Sequence, residues 1–266
     1  VSAYTPAVGN KFTLVTFSSA TGLFDTLQLP TGIVWQPEYA AANFAITVLG
    51  VCTPPPLGIA AWWPAEGTPA DIAGGHTGTL QSGASYAGGL AGQAFSFDGV
   101  DDFVAVADST GINFAGNTAM SVALWAYRTG AATTAHLLGK RTGCGSTPDE
   151  IQYQLAYDPT RGLHFGAQPP NTIVSGLPLA PDTWTHLAAT IEGGVGRFYV
   201  NGQLVAATEG VTLGPVNGAP LKLGGSGDCA TFGGLLDEVL LFNRALTSNE
   251  VAAIYTAGAA GLCRPT

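Results

Sequence analysis

The side chains that could move a proton or hold a cation are few: eighteen Asp and Glu, four His and nine Lys and Arg in 266 residues. Cleaving a glycosidic bond takes two carboxylates across a cleft, roughly 5–10 Å apart. On a strand that demands an acid-x-acid pattern, because successive side chains point to opposite faces. Here the acids are adjacent instead. Asp149 and Glu150 fall in a turn-rich stretch, and Asp237 and Glu238 fall in a strand-like run that sends them to opposite faces. His136, His164 and His186 sit in strand-like runs, but no spacing gathers them into one base. A G-x-S-x-G elbow is missing, as is a glycine-rich phosphate loop opening a helix. Four cysteines occur without a CxxC or a Cys/His cluster at metal spacing, so zinc or redox use is not expected. The chain reads as a non-enzyme.

The elements that must position these residues are short strands. Charged residues are only 10% of the chain, Gly and Pro number 37 and 17, and 46% of residues are hydrophobic. Such a composition suits many strands joined by tight turns. Gly58–Val106 and Pro220–Tyr255 both alternate apolar and other residues over short runs broken by Gly, Asp and Asn, the pattern of half-buried antiparallel strands. Met120–Arg128, Ile151–Tyr157, Leu163–Gln168, Trp184–Ile191 and Arg197–Val200 read as further strands, and Asn201-Gly202 as a type I′ turn leading to Gln203–Ala206. Helical spacing with a Thr/Ser start and an early Glu marks one short helix over Leu246–Tyr255. The fold class is therefore all-β, an antiparallel β-sandwich. Trp62 and Trp63 must face opposite ways on their strand, which leaves one available to stack on a sugar ring.

The consecutive prolines of CTPPPLG mark a boundary. Residues 1–51 form a small β-rich N-terminal segment, 52–57 a Pro-rich linker and 58–266 the sandwich. In the first segment Phe12–Phe17, Ile33–Trp35 and Phe44–Val48 read as three strands, too few to enclose their own large apolar side chains. The segment is expected to be covered by the sandwich or by another copy of the chain, hence a possible self-association. Val1 opens no signal peptide, so the chain reads as a mature or truncated piece. A net charge of −9 and no basic stripe argue against nucleic acid and anionic membranes as partners. No apolar run approaches the length of a membrane span, so no membrane insertion is expected.

Five motifs carry a resemblance: AWWPAEG, DIAGGHTGTL, GQAFSFDGVDDFVAV, WTHLAATIEGGVGRFYVNGQLVA and LLDEVLLFNRALTSNEVAAIY. Occurring in order over Gly58–Tyr255, they resemble the laminin-G-like, concanavalin-A-like jelly-roll domains of bacterial secreted proteins. NKFTLVTFSSATGLFDTLQLPTGIVWQPEYAAANFAITVLG resembles the terminal rungs and cap that close parallel β-helix domains. The first resemblance implies a jelly roll. It also implies a structural calcium ion where the first and last strands meet, with Asp237 as ligand and Asp71 as a candidate second ligand. In such a sandwich Cys52 and Cys263 bracket the two ends, and Cys144 and Cys229 occupy two Gly-rich loops. The expected disulfides are Cys52–Cys263 and Cys144–Cys229, which imply an oxidising setting, extracellular or at the cell surface. The second disulfide would bring Arg141, Asp149, Glu150 and Asp228 to one rim, a candidate ligand site; pentraxin-type relatives hold their ligand calcium in a comparable late loop, near Asp228. The function this implies is a secreted, non-catalytic carbohydrate-binding or adhesion module for a glycan or cell-surface polysaccharide. The alternatives are a structural subunit of an extracellular fibre and, in a third class, a glycoside hydrolase or polysaccharide lyase domain.

Overall fold

A computed structural model of the protein describes residues 11–19, 34–40, 42–50, 52–130, 133–144, 147, 149–225 and 229–264. The chain divides into two compact units, residues 56–256 and residues 1–55 with 257–266.

In the terminal unit, β1 (Lys11–Thr16), β2 (Val34–Tyr39) and β3 (Asn43–Gly50) form one sheet in the order β1-β3-β2. Both pairings are antiparallel, with Phe12 opposite Ile46 and Glu38 opposite Ala45. The described strands therefore lack the parallel pairing of a β-helix rung. A few residues between Tyr39 and Asn43 suffice for a hairpin, whereas a parallel return needs a long crossover. Ile33, expected to open the second strand, lies outside the described residues. Phe44, Ile46 and Val48 are buried, while Leu14 and Val15 of β1 stand exposed. The C-terminal tail joins this unit through a parallel bridge between Thr53 and Leu262 and through the disulfide Cys52–Cys263.

The larger unit holds the remaining strands. Along the chain they are β4 (Ile59–Trp63), β5 (Gly78–Gln81), β6 (Ser85–Gly88), β7 (Gln93–Asp98), β8 (Phe103–Val106), β9 (Met120–Arg128) and β10 (Ala135–Arg141). There follow β11 (Ile151–Asp158), β12 (Gly162–Gly166), β13 (Thr172–Val174), β14 (Trp184–Glu192), β15 (Val195–Val200) and β16 (Gln203–Glu209). The series ends with β17 (Leu221–Leu223), β18 (Gly233–Phe242) and one helix, α1 (Ser248–Ala257). Seven strands form one sheet in the order β13-β12-β11-β10-β17-β8-β5. The second sheet runs β16-β15-β14-β9-β18-β7-β6, with β4 pairing the far half of β18. Every strand pairing in both sheets is antiparallel. Trp63, Phe95, Leu124, Leu187 and Phe198 from one sheet meet Leu137, Tyr153, Leu155, Phe165 and Ile173 from the other in a single buried core. Each such side chain contributes on the order of 1.5–3 kcal/mol through the water it excludes.

Local chemistry fixes the ends of the elements. Asn201 and Gly202 both take positive φ, +50° and +76°, the type I′ geometry that matches strand twist and joins Val200 to Gln203. The side chain of Thr247 accepts from the amide of Glu250, and the Glu250 carboxylate accepts from the amide of Thr247, a capping box that starts α1. Gly234 sits in β18 at φ +142°, where a Cβ would lie 2.1 Å from the carbonyl oxygen of Tyr127; only glycine allows β9 to approach β18 there.

Candidate functional site

The parity of the strands sorts the polar residues of the seven-stranded sheet. Leu137, Leu138, Tyr153, Leu155, Tyr157, Leu163, Phe165 and Ile173 enter the core. The residues between them must point the other way. His136 lies opposite Ala156, Ala156 opposite His164, and His164 opposite Val174, one row across β10, β11, β12 and β13. The next row is Gly139, Gln154, Gly166 and Thr172. The outer face is thus floored by Ala and Gly between two histidines and a glutamine. Two strand spacings separate the backbones of His136 and His164, about 9.5 Å.

Arg141 closes this face at the end of β10. Its Nε donates to the carbonyl of Gly143 and its Nη1 to Oε1 of Gln154 at 2.9 Å. Burial lowers its pKa, and the charge of Glu150 acts in the opposite direction. Glu150 is half-buried, and its carbonyl accepts from the amide of Thr142 and the side chain of Asn217, each at 3.0 Å. Asp149 beside it is exposed. The disulfide Cys144–Cys229 joins the loop that follows β10 to the loop that follows β17. Ala230 then lies against β10, where its carbonyl accepts from the His136 amide at 3.1 Å, and Thr231 bridges His136. The structure therefore brings Arg141 and Glu150 together at the rim with Asp149 alongside, whereas Asp228 lies outside the described residues.

The row of histidines was not gathered by sequence spacing. His136 and His164 are separated by a whole strand, and only the register unites them. Nδ1 of His136 is 2.9 Å from the carbonyl of Ala230, and Nδ1 of His164 is 3.0 Å from that of Gly162. Burial pulls the pKa of His136 down to about 4, helped by the positive charge of Arg141 and by His164 and Arg161. Burial likewise lowers His164. Arg161 reaches Nε2 of His164 at 3.4 Å. His186 belongs elsewhere, on the outer face of the second sheet. There it lies 5.2 Å from the ring of Trp125 and 6.0 Å from that of Tyr255, under α1. It is wholly buried with neither ring nitrogen hydrogen-bonded, and burial pulls its pKa down to about 3.

The acids expected to hold calcium are arranged as follows. Asp71 accepts backbone N–H groups from Trp62, Ala73 and Gly74 on Oδ1, and from Gly74 and His76 on Oδ2. With both oxygens spent on N–H donors it does not fit a calcium ligand. Asp237 accepts from Leu90 and Ala91 on Oδ2 at 2.8 and 2.9 Å, and its Oδ1 is buried with no hydrogen bond. One lone oxygen is short of the six or more that calcium takes. Burial pushes the Asp237 carboxyl up to about 7, opposed by its two amide donors and assisted by the charge of Glu238.

Asp237 and Glu238 do not split across the sheet as alternation predicts. The register of β18 against β9 slips between Asp237 and Leu240, and Glu238 sits in the extra position at φ +51°. A β-bulge of this kind turns the inserted side chain back. Asp237 lies opposite the outward Trp125, and Glu238 accepts from the indole of the outward Trp62 at 2.5 Å. Trp62 and Trp63, one of which was expected to be available as a sugar platform, are both fully buried: Trp63 in the core, its indole donating to the His76 carbonyl, and Trp62 against Glu238. Among the described residues, three acids do converge elsewhere: Asp98, Asp101 and Asp102 of the turn between β7 and β8, their ligand atoms within 4.8 Å. Asp98 and Asp102 accept amide bonds within that turn. No described helix is long and apolar enough to cross a membrane.

A family model described as the concanavalin A-like lectin/glucanases superfamily matches residues 98–252, more than half of the chain. No curated protein sequence matches it. Among solved structures, domain 4 of AbnA, an extracellular arabinanase of Geobacillus stearothermophilus solved with arabinotriose, superposes with a TM-score of 0.60 at 20% identity, over 73% of this chain and 97% of that one. The binding domain of Paraclostridial Mosquitocidal Protein 1 superposes at 0.57 with 14% identity, over 74% of this chain and 52% of that one. Trypanosoma rangeli sialidase, solved with sialic acid, superposes at 0.56 with 16% identity, over 83% of this chain and 42% of that one. The chain spans about half the length of the toxin domain and less of the sialidase. At these identities the likeness is one of fold.

Proposed function

The chain belongs to the concanavalin A-like lectin/glucanases superfamily, and from that premise we propose that it is a non-catalytic carbohydrate-binding module working outside the cytoplasm. The observation that carries the reading is the outer face of β10, β11 and β12. A buried floor of Ala156, Gly139 and Gly166 is edged by Arg141, Gln154, His136 and His164, a set of directional hydrogen-bonding groups of which His136, Gln154 and Arg141 keep the most exposed surface, 6–8% each. Saccharides are recognised by such groups, because every hydroxyl both donates and accepts. The superposed arabinanase domain was solved with a trisaccharide and the superposed sialidase with a sugar acid, which supports the ligand class. Two disulfides support an oxidising compartment.

The places of the acids support the non-catalytic part of this reading. Asp237, whose carboxyl is pushed strongly up as a general acid requires, is wholly buried under Leu90 and Ala91 and cannot reach a glycosidic bond. At the rim Glu150 and Asp149 are sequence neighbours beside Arg141 rather than carboxylates across a cleft. Screening the full chain on a glycan array should give specific hits, and prolonged incubation with those glycans should leave them uncleaved. An array without hits would refute the binding claim, and released products would refute the non-catalytic one.

A further inference from the structure

We propose that the site takes a neutral saccharide, one hydroxyl of which donates to Nε2 of His136; this inference rests on the carbohydrate-binding reading above. A carbonyl oxygen only accepts, so the 2.9 Å contact between Nδ1 of His136 and the carbonyl of Ala230 places the ring proton on Nδ1. In a neutral imidazole the other nitrogen is then a lone-pair acceptor. His164 is fixed in the same tautomer by the carbonyl of Gly162, but its Nε2 already faces the guanidinium of Arg161. His136 is therefore the acceptor of the row that is left for a ligand.

The groups around it agree with a neutral ring. Arg141 on the same strand, and Arg161 with His164 from β12 and the turn before it, oppose a charge on His136, and burial opposes it more strongly. The Ala230 carbonyl, from the loop after β17, favours the charged form but is outweighed. A hydroxyl proton suits this acceptor, whereas a carboxylate, which only accepts, does not. Nor does the charge of the region favour an acidic sugar. Arg141 and Arg161 are matched by Asp149 and Glu150 at the rim and Asp158 at the end of β11, on a chain of net charge −9. Ala156 and His164 are buried, at 0% and 1% exposure, whereas His136 keeps 8%, so a ligand hydroxyl meets the row at its His136 end. The acceptor is anchored by the disulfide, since Ala230 follows Cys229 directly.

The test pairs neutral oligosaccharides with acidic ones of equal length, bearing uronate or sialate, against the full chain. Two variants accompany the native protein. His136→Asn keeps an amide near Nδ1 for the Ala230 carbonyl and loses the acceptor at Nε2. His136→Gln places an amide oxygen or nitrogen near Nε2. Neutral ligands alone should bind. His136→Asn should weaken them about tenfold or more at an unchanged melting temperature, as expected for one lost ligand hydrogen bond. His136→Gln should recover part of the loss, and native affinity should stay flat between pH 5 and 8. Acidic ligands binding in preference would overturn this inference and leave the carbohydrate reading standing. Neutral binding untouched by His136→Asn, or titrating near pH 6.5, would do the same. Binding of neither class would overturn both.

Discussion

Below pH 6.5 the protein should lose stability steeply, and the loss should come from its histidines. His186 is held neutral in the fold until about pH 3 and His136 until about pH 4, while in the unfolded chain both titrate near 6.5. Above 6.5 they are neutral in both states and contribute nothing to the pH dependence. As the pH falls through 6.5 the unfolded chain takes up protons the fold refuses, and stability declines until the folded values are reached. The two gaps, about 3.5 and 2.5 pH units, correspond to on the order of 8 kcal/mol at most, comparable with the whole stability of a domain. His164, also lowered, adds in the same direction. Replacing His186 by Leu isolates one share. Its ring makes no hydrogen bond in an enclosure of Trp125 and Tyr255, so an apolar side chain removes a desolvation cost. His186→Leu should raise stability by about 1–3 kcal/mol at pH 7 and move the acid midpoint of a denaturation series lower. An unchanged acid midpoint would contradict the assignment.

The second large effect has the opposite sign. Asp237 titrates near 7 in the fold and near 3.8 unfolded. Its contribution is fully present below pH 3.8 and is lost as the pH rises through 7, on the order of 4 kcal/mol across the window. Over pH 4–6.5 the single carboxyl is outnumbered by the histidines, so the net slope still rises with pH. Asp237→Asn keeps an oxygen for the amides of Leu90 and Ala91 while deleting the buried charge. It should be close to neutral at pH 4 and stabilising at pH 8. A calcium ion on Oδ1 would reverse this result. The variant would then be less stable at pH 8, and chelation would lower the native melting temperature but not that of the variant.

What was legible in the sequence follows from what is local. Alternation marked the strands, Asn201-Gly202 its turn and Thr247 with Glu250 the start of the helix, because each depends on residues a few positions apart. The cysteine pairs were legible from their places at the ends and loops of a sandwich. The bulge at Glu238 was not, since a single residue at positive φ overturns the parity of everything beside it. The buried fate of Trp62 was missed for a related reason: its indole partner, Glu238, lies 176 residues away in sequence. The parity of His136 and His164 could be read from Leu137 and Leu163 beside them, but their sharing a row is a fact of register between strands.

Where a saccharide binds is tested most directly by amide chemical-shift mapping of the full chain with its best glycan. Saturable shifts should be confined to His136, Arg141, Gln154, Ala156, His164 and Ala230, on the outer face of the seven-stranded sheet. Shifts centred instead on the half-exposed pair Tyr127 and Trp184, 5.5 Å apart on the other sheet, would contradict this placement.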